Sequence, residues 1–398
     1  MASYFEKVLM DAGRNSAVEA YGVSSDNFPS FDTPPWRINK FTLRGGKQEG
    51  VDVVEIDNGR LTVCVAPTRG MGILGAEADG LRLGWDSPVQ QVVHPAYVDE
   101  EAFGLLGWLE GFQEFVCRCG LAFNGAFGED VMTTNTGAEA RVELPLHGTI
   151  ANTPACRVTV QVELEPPHRL AVTGQVRDAR MFGEAYLLTS TVSTVPGSGE
   201  FTVSDTVENL SATASDLELL YHCNYGVPLL GEGTEILAPA GYLCPRDERA
   251  AEGADRWHVC GAPEAGFAEQ CYFLRNLADE GGRTLVALVS PDGDAAATVR
   301  YSTADLPAFT IRKNTAAEED GCVVGLEPAT DYPNSRGFER QQGRLARLEA
   351  GEVFGTELTF GVACGRDAVT EVRESIAALV EGKEQDIRRE PDPEYCPE

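Results

Sequence analysis

The sequence predicts an all-β protein, a large two-sheet β-sandwich with one short helix near its C-terminal end. Three observations carry that expectation. Apolar and polar residues alternate at period two in Arg157 to Glu165, Arg169 to Arg177, Ala185 to Val195 and Glu200 to Asn209, the pattern of strands with one face on a core. Proline, glycine and aspartate punctuate these segments, so strand follows strand without intervening helices. Helical spacing of apolar residues is clear only at Ala368 to Val380.

Residues 1–40 combine a short helical candidate at Asn15 to Tyr21 with a turn at Pro34-Pro35 and read as an N-terminal arm packed on the main body. Residues 41–365 read as a single sandwich domain, since large sandwiches run past the usual domain length as one unit. It opens with Val51 to Ile56, the dipeptide Asn58-Gly59, then Leu61 to Val65, which predicts a hairpin around a turn that favours Asn-Gly. Beyond the four alternating segments, strands are expected at Ile236 to Leu243, Thr284 to Ser290, Ala297 to Tyr301, Ala308 to Arg312, Cys322 to Leu326 and Phe354 to Val362. Residues 366–398 read as the helix and an acidic tail, frayed from Glu384 onward.

Composition bounds the function. Hydrophobic residues make up 43% of the chain, enough for a sizeable core. Sixty-two acidic residues against 32 basic ones leave a net charge of −30, which opposes phosphate backbones and anionic lipid and argues against nucleic-acid and membrane partners. Eleven scattered cysteines show neither a zinc spacing nor a secreted disulfide framework, so they read as free thiols of a reducing compartment. With no apolar leader segment and no stretch of membrane-spanning length, a cytoplasmic protein is expected.

Three short polar segments stand out against this apolar background: Leu146 to Asn152, Tyr221 to Gly226, and Gly325 to Asp331. They hold two of the five histidines and one carboxylate, side chains suited to giving and taking a proton without a cofactor. On a strand, His222 and Asn224 share a face opposite Tyr221 and Cys223. Two polar groups on one face of a core strand are costly unless paired. Glu327 follows the apolar run Cys322 to Leu326 and precedes Pro328, a place where the scaffold holds a side chain at the mouth of a loop. His147 precedes Gly148, where backbone can approach a ligand closely. Asn152 suits hydroxyl contacts or a turn. Arg69 has a planar fork for hydroxyls or a carboxylate, and Trp108 offers a flat apolar face. Each also has a structural reading: a hydrogen-bonded core histidine, an edge charge, a turn residue, an ion pair, a core tryptophan. His94 could line a cleft, His168 reads as a solvated turn residue, and His258 has no nameable partner.

The chain resembles the aldose 1-epimerase (galactose mutarotase-like) superfamily. The resemblance runs from about residue 40 to about residue 365 and rests on four motifs in order. They are Pro67 to Met71 (Pro-Thr-Arg-Gly-Met), Gly107 to Leu121 (Gly-Trp-Leu-x-Gly-Phe ending in Cys-Gly-Leu), Leu146 to Ala155 (Leu-His-Gly-x-Ile-x-Asn-x-Pro-Ala), and Gly325-Leu326-Glu327 before Pro328. One departure is Thr149, where the family has Arg after the His-Gly pair. The resemblance implies a galactose mutarotase-like β-sandwich that binds a monosaccharide or sugar derivative and interconverts its anomers. It implies Glu327 as the base on the anomeric hydroxyl, His222 as the acid on the ring oxygen, and His147 as a substrate-binding or auxiliary acid residue; Arg69, Asn152, Asn224 and Trp108 are expected as substrate contacts from their side-chain chemistry. In that arrangement the histidines and the glutamate leave room for the sugar between them.

Two readings from other classes stay open at this stage. One is a carbohydrate-binding or sensor protein without catalysis, because fold does not dictate function. The other is a different sugar isomerase or lyase, in which two histidines and a carboxylate could hold a divalent metal. With no further His or Cys at ligand spacing, a site without metal or cofactor is expected. Which sugar is bound, and the oligomeric state, are not written in the chain.

Overall fold

The structure is a computed structural model that describes residues 3–397. Two large sheets, of ten and fourteen strands among the described residues, carry the fold. Their facing sides share one apolar core in which Val54, Ile56 and Val63 of one sheet meet Val172, Leu188 and Val203 of the other. This is the expected two-sheet sandwich. The Asn58-Gly59 turn joins Asp52–Asp57 to Leu61–Ala66. Its Asn58 side chain is buried, accepts from the backbone N–H of Leu61 at 2.7 Å, and donates to Thr194 Oγ1 at 2.7 Å on the opposite sheet.

Six strands of the larger sheet position the site: β1 (Val116–Leu121), β2 (Ser215–Tyr225), β3 (Ala240–Pro245), β4 (Gln270–Asn276), β5 (Ala308–Asn314) and β6 (Val323–Ala329). They lie side by side in the order β3-β4-β5-β6-β2-β1. Alternate residues turn to opposite faces. Tyr221, Cys223, Leu326, Ile311 and Tyr272 enter the inter-sheet core. Leu220, Ala329, Ala308, Phe273 and Cys244 turn outward, where Trp85, Trp108, Phe112, Tyr332 and Tyr395 cover them. The outer face of this sheet is therefore also buried, under loops, and that second layer holds the site.

The helix α1 (Arg366–Val380) forms as expected and places Val369, Val372 and Ile376 against Leu285, Ala287 and Ala296 of the smaller sheet, a helical stripe. The expectation at Asn15 to Tyr21 is corrected: no helix forms. Tyr4–Asp11 pairs with Arg157–Glu163, the chain reverses through a left-handed Asn15, and Ser16–Ala17 pairs back on Met10 and Asp11. A seven-residue segment is too short to nucleate a helix against such pairing. The single strand expected at Ile236 to Leu243 is two: Glu235–Leu237 joins the smaller sheet and Ala240–Pro245 the larger. Pro239 between them has no N–H for a ladder.

Two surface expectations are also corrected. His168 is buried, its ring stacked on Phe31 with centroids 3.8 Å apart. The segment beyond Glu384 is docked, with Asp386 and Ile387 paired to Tyr242 and Leu243 of β3, and Tyr395 and Cys396 buried. Tyr242 donates its hydroxyl to Asp392 Oδ2 at 2.7 Å, which anchors the proline-containing stretch despite its charge. Among the described residues no helix is long and apolar enough to cross a membrane.

Candidate active site

Antiparallel register builds the centre. Cys223 pairs with Leu326 and Leu220 with Ala329, so His222 on β2 and Glu327 on β6 stand opposite each other on the outward face. Their side chains meet, with His222 Nε2 3.1 Å from Glu327 Oε1 and each side chain only 2% exposed. The contact is a close approach without hydrogen-bond alignment, for Oε1 and His222 Nδ1 both lack a hydrogen-bond partner. Gly325 makes the carboxyl's position possible. A Cβ there would sit 2.3 Å from Glu327 Oε1, closer than atoms tolerate.

His147 reaches the same cavity from the loop after the hairpin strand Glu139–Leu144. It adopts a left-handed φ of 60° and Gly148 follows at 70°. At Gly148 a Cβ would lie 2.3 Å from the Phe123 carbonyl oxygen, so only glycine lets the loop pack there. The His147 Nδ1–H donates to the Asn124 carbonyl at 2.7 Å. A carbonyl can only accept, so the neutral ring presents Nε2 as an acceptor. The rings of His147 and His222 stand almost perpendicular, 5.7 Å apart. Trp108 packs against His147 at 4.7 Å and Phe112 against His222 at 4.9 Å, centroid to centroid.

Burial sets the protonation. It pushes the Glu327 carboxyl up to about 8, with Arg312 opposing. It lowers His147 to about 4 and His222 well below its ordinary value, with Arg312 adding to the fall at His222. At neutral pH the pair therefore holds one proton, on the carboxyl, and both imidazoles are neutral.

The cavity measures about 210 Å³ and is lined by His147, His222, Glu327 and Trp108 together with Arg246, Glu269, Cys271, Thr310 and Arg312. That is below the range of drug-sized ligand sites and suits a single small molecule. A larger depression of about 580 Å³ lies by Arg336, Arg340 and Arg347. Those arginines already face Asp130, Glu184 and Asp216, and no acid-base pair is poised there.

Of the expected site residues, the structure brings together His222, Glu327, His147 and Trp108. It does not bring Arg69, Asn152 or Asn224 to the cavity. Arg69 is buried against Glu114 and donates to the carbonyls of Val93 and Gly111 and to Asn152 Oδ1. Asn152 donates onward to Glu100 Oε1 at 3.0 Å. Asn224 donates to the carbonyls of Glu114 and His222. All three are corrected to scaffold: their donors are engaged by protein oxygens, fully buried at Arg69 and Asn224 and half-buried at Asn152. His94 caps its own turn, accepting at Nδ1 from the Ala96 N–H, and is not in the cavity. The gap expected between His222 and Glu327 is corrected as well. The two are in contact, and the open space lies to one side of them, toward His147.

Sequence reading missed Arg246, Glu269, Cys271 and Arg312. Thr310 and Arg312 did carry a signal, as polar residues two apart that share the face of Ala308, opposite the apolar Phe309 and Ile311. Arg246 and Glu269 lie just outside strands and carried none.

The class defined here is an all-β sandwich of the galactose mutarotase-like type. The chain belongs to the family described as Domain of unknown function (DUF4432), whose model matches residues 48–362. A solved structure from Klebsiella pneumoniae, called a "putative aldose 1-epimerase", is 33% identical, covering 96% of this chain and 98% of that one at a TM-score of 0.90. Two more distant structures share the fold. The galactose 1-epimerase of Lactobacillus acidophilus is 13% identical over 82% of this chain and 99% of that one, TM-score 0.54. A galactose mutarotase-like protein of Clostridium acetobutylicum is 12% identical over 82% and 98%, TM-score 0.57. No curated protein matches the chain by sequence.

Proposed function

We propose that the protein is an aldose 1-epimerase, an enzyme that interconverts the anomers of a monosaccharide or sugar derivative by general acid-base catalysis. The observation that carries this reading is the His222–Glu327 contact of 3.1 Å at the wall of a cavity sized for one small ring. The names of the Klebsiella and Lactobacillus proteins point the same way.

The anomeric hydroxyl oxygen and the ring oxygen are bonded to the same carbon, so one edge of an adjacent acid and base can serve both. In the reactive form the pair's single proton is on His222. Glu327 removes the hydroxyl proton, His222 protonates the ring oxygen, and the bond from that oxygen to the anomeric carbon breaks to give the open-chain carbonyl. The proton then rests on the carboxyl, the form that burial favours. Rotation about the adjoining carbon–carbon bond presents the other face. Closure reverses both transfers, so protons and charge balance. Trp108 and Phe112 exclude water, and His147 Nε2 is free to accept from a sugar hydroxyl.

The test is anomer exchange measured by NMR across common aldoses, their uronates and their phosphates. Exchange accelerated for at least one sugar is expected; rates equal to buffer for every one would remove the claim.

A further inference from the structure

A second row of residues crosses the same strands one step from the acid-base pair. Arg312 on β5 pairs with Gly325 on one side and Cys271 on the other, and the Arg246 N–H donates to the Cys271 carbonyl. Thr310, opposite Glu327, is two residues before Arg312. One strand spacing and two residues of rise put the Arg312 and Glu327 backbones roughly 8 Å apart, about a single sugar ring away. Proton transfer does not use these groups.

Their charge is unbalanced within the cavity. Glu269 lies between the two guanidinium groups, touching Arg312 Nε and standing 3.4 Å from Arg246 Nη1. Among the described residues it is the only carboxylate within ion-pair reach of Arg312. Burial pushes Glu269 up, but Arg312, the Cys271 thiol and Arg246 hold it below its usual value, so it is ionised. The other partner of Arg246, Asp247, is 40% exposed and does not line the cavity. Facing the cavity are two guanidiniums, one ionised carboxylate, two neutral imidazoles and, at neutral pH, a protonated Glu327. In a chain of net charge −30, an excess positive charge in a confined pocket runs against the bulk composition. The guanidinium N–H groups not taken by Glu269 and Asp247 match the oxygens of a carboxylate or phosphate.

We infer that Arg246 and Arg312 form an anion subsite and that the sugar bound here carries a carboxylate or phosphate group, placed over the second row while its anomeric carbon lies over His222 and Glu327. This rests on the acid-base reading of the site and narrows it from sugars in general to acidic monosaccharides. The cavity of about 210 Å³ limits the ligand to one ring.

The experiment compares anomer exchange, by NMR at one pH, for galactose, galacturonate and galactose 6-phosphate, and for the same three forms of glucose and mannose. The expected result is a kcat/KM for one acidic form at least about tenfold above its neutral parent. The ratio should shrink to within about threefold in Arg312→Gln and Arg246→Gln. Whether the uronate or the phosphate shows the preference separates the two anion sources. Neutral parents exchanged as fast as both acidic forms would overturn the subsite and leave the epimerase reading intact. If no sugar is exchanged, calorimetry on the wild-type protein decides. Binding of an acidic sugar but not its neutral parent upholds the subsite and sinks the epimerase reading; binding of neither overturns both.

Discussion

His222 Nε2 stands 3.1 Å from Glu327 Oε1, on facing positions of neighbouring antiparallel strands, with each side chain almost wholly removed from water. Two groups this close titrate as a pair, and at neutral pH they hold one proton between them. Replacing Glu327 by Gln keeps the shape and removes the base. Turnover is expected to fall roughly 10²- to 10⁴-fold, with circular dichroism unchanged. Retention of wild-type anomer exchange in Glu327→Gln would place the chemistry elsewhere.

The same carboxyl makes activity and stability respond alike to pH. Burial raises it to about 8, so the one-proton pair that the reaction needs persists up to that value, and kcat/KM should hold through neutral pH and fall as pH passes about 8. The stability sign follows from proton linkage: the folded state keeps a proton that the unfolded state releases above about 4.3. Folding stability from this group is fully present below that value and declines until pH passes about 8. Thermal melting of wild type and Glu327→Gln should therefore diverge between pH 5 and 8, the variant being the more stable. Parallel melting curves across that window would contradict the raised carboxyl.

Arg69 and Glu114 are both buried and paired. Arg69→Ala leaves an uncompensated buried carboxylate, expected to cost roughly 3–5 kcal/mol. Urea denaturation reads the effect directly. A denaturation midpoint matching wild type, with only KM altered, would return Arg69 to the substrate.

Gly148 holds the His147 loop with a φ of 70° and no room for a Cβ. Gly148→Ala should destabilise by about 1–3 kcal/mol and displace His147, lowering kcat/KM. If the variant melts with wild type and retains full exchange, the loop is not held as described.

Dialysis against EDTA should leave anomer exchange intact. Among the described residues no group of three or more His, Cys, Asp or Glu side chains is gathered for a metal ion. Loss of exchange that a single divalent ion restores would favour the metal-dependent isomerase or lyase.

The sandwich was legible because its strands alternate. Glu200 to Asn209 was read at the residues it occupies, since one face is wet and the other dry. Val116–Leu121 and Gln270–Asn276 escaped notice for the opposite reason. They are buried on both faces over all or most of their length, so neither shows a period. The site was legible where one polar residue interrupts such burial, as at His222 and Glu327. Arg69, Asn152 and Asn224 looked like ligand contacts because a polar residue that satisfies a buried carbonyl and one that faces a cavity leave the same mark in a sequence. Arg246 and Glu269 lie at strand ends, where charge is ordinary, and only the folded sheet brings them together.

The two rows have different histories available to them. Residues two apart on a strand share a face, so Arg312, and Arg246 just past the end of β3, can be exchanged for other side chains without moving the rung that holds His222 and Glu327. A lineage could thus change its sugar while inheriting its chemistry unaltered. Slippage is forbidden by contrast: a one-residue shift of Val323–Ala329 would turn Glu327 into the inter-sheet core and Leu326 into the cavity. Divergence in this scaffold is channelled into side chains along the strands and loops above them, with the ladder itself held fixed.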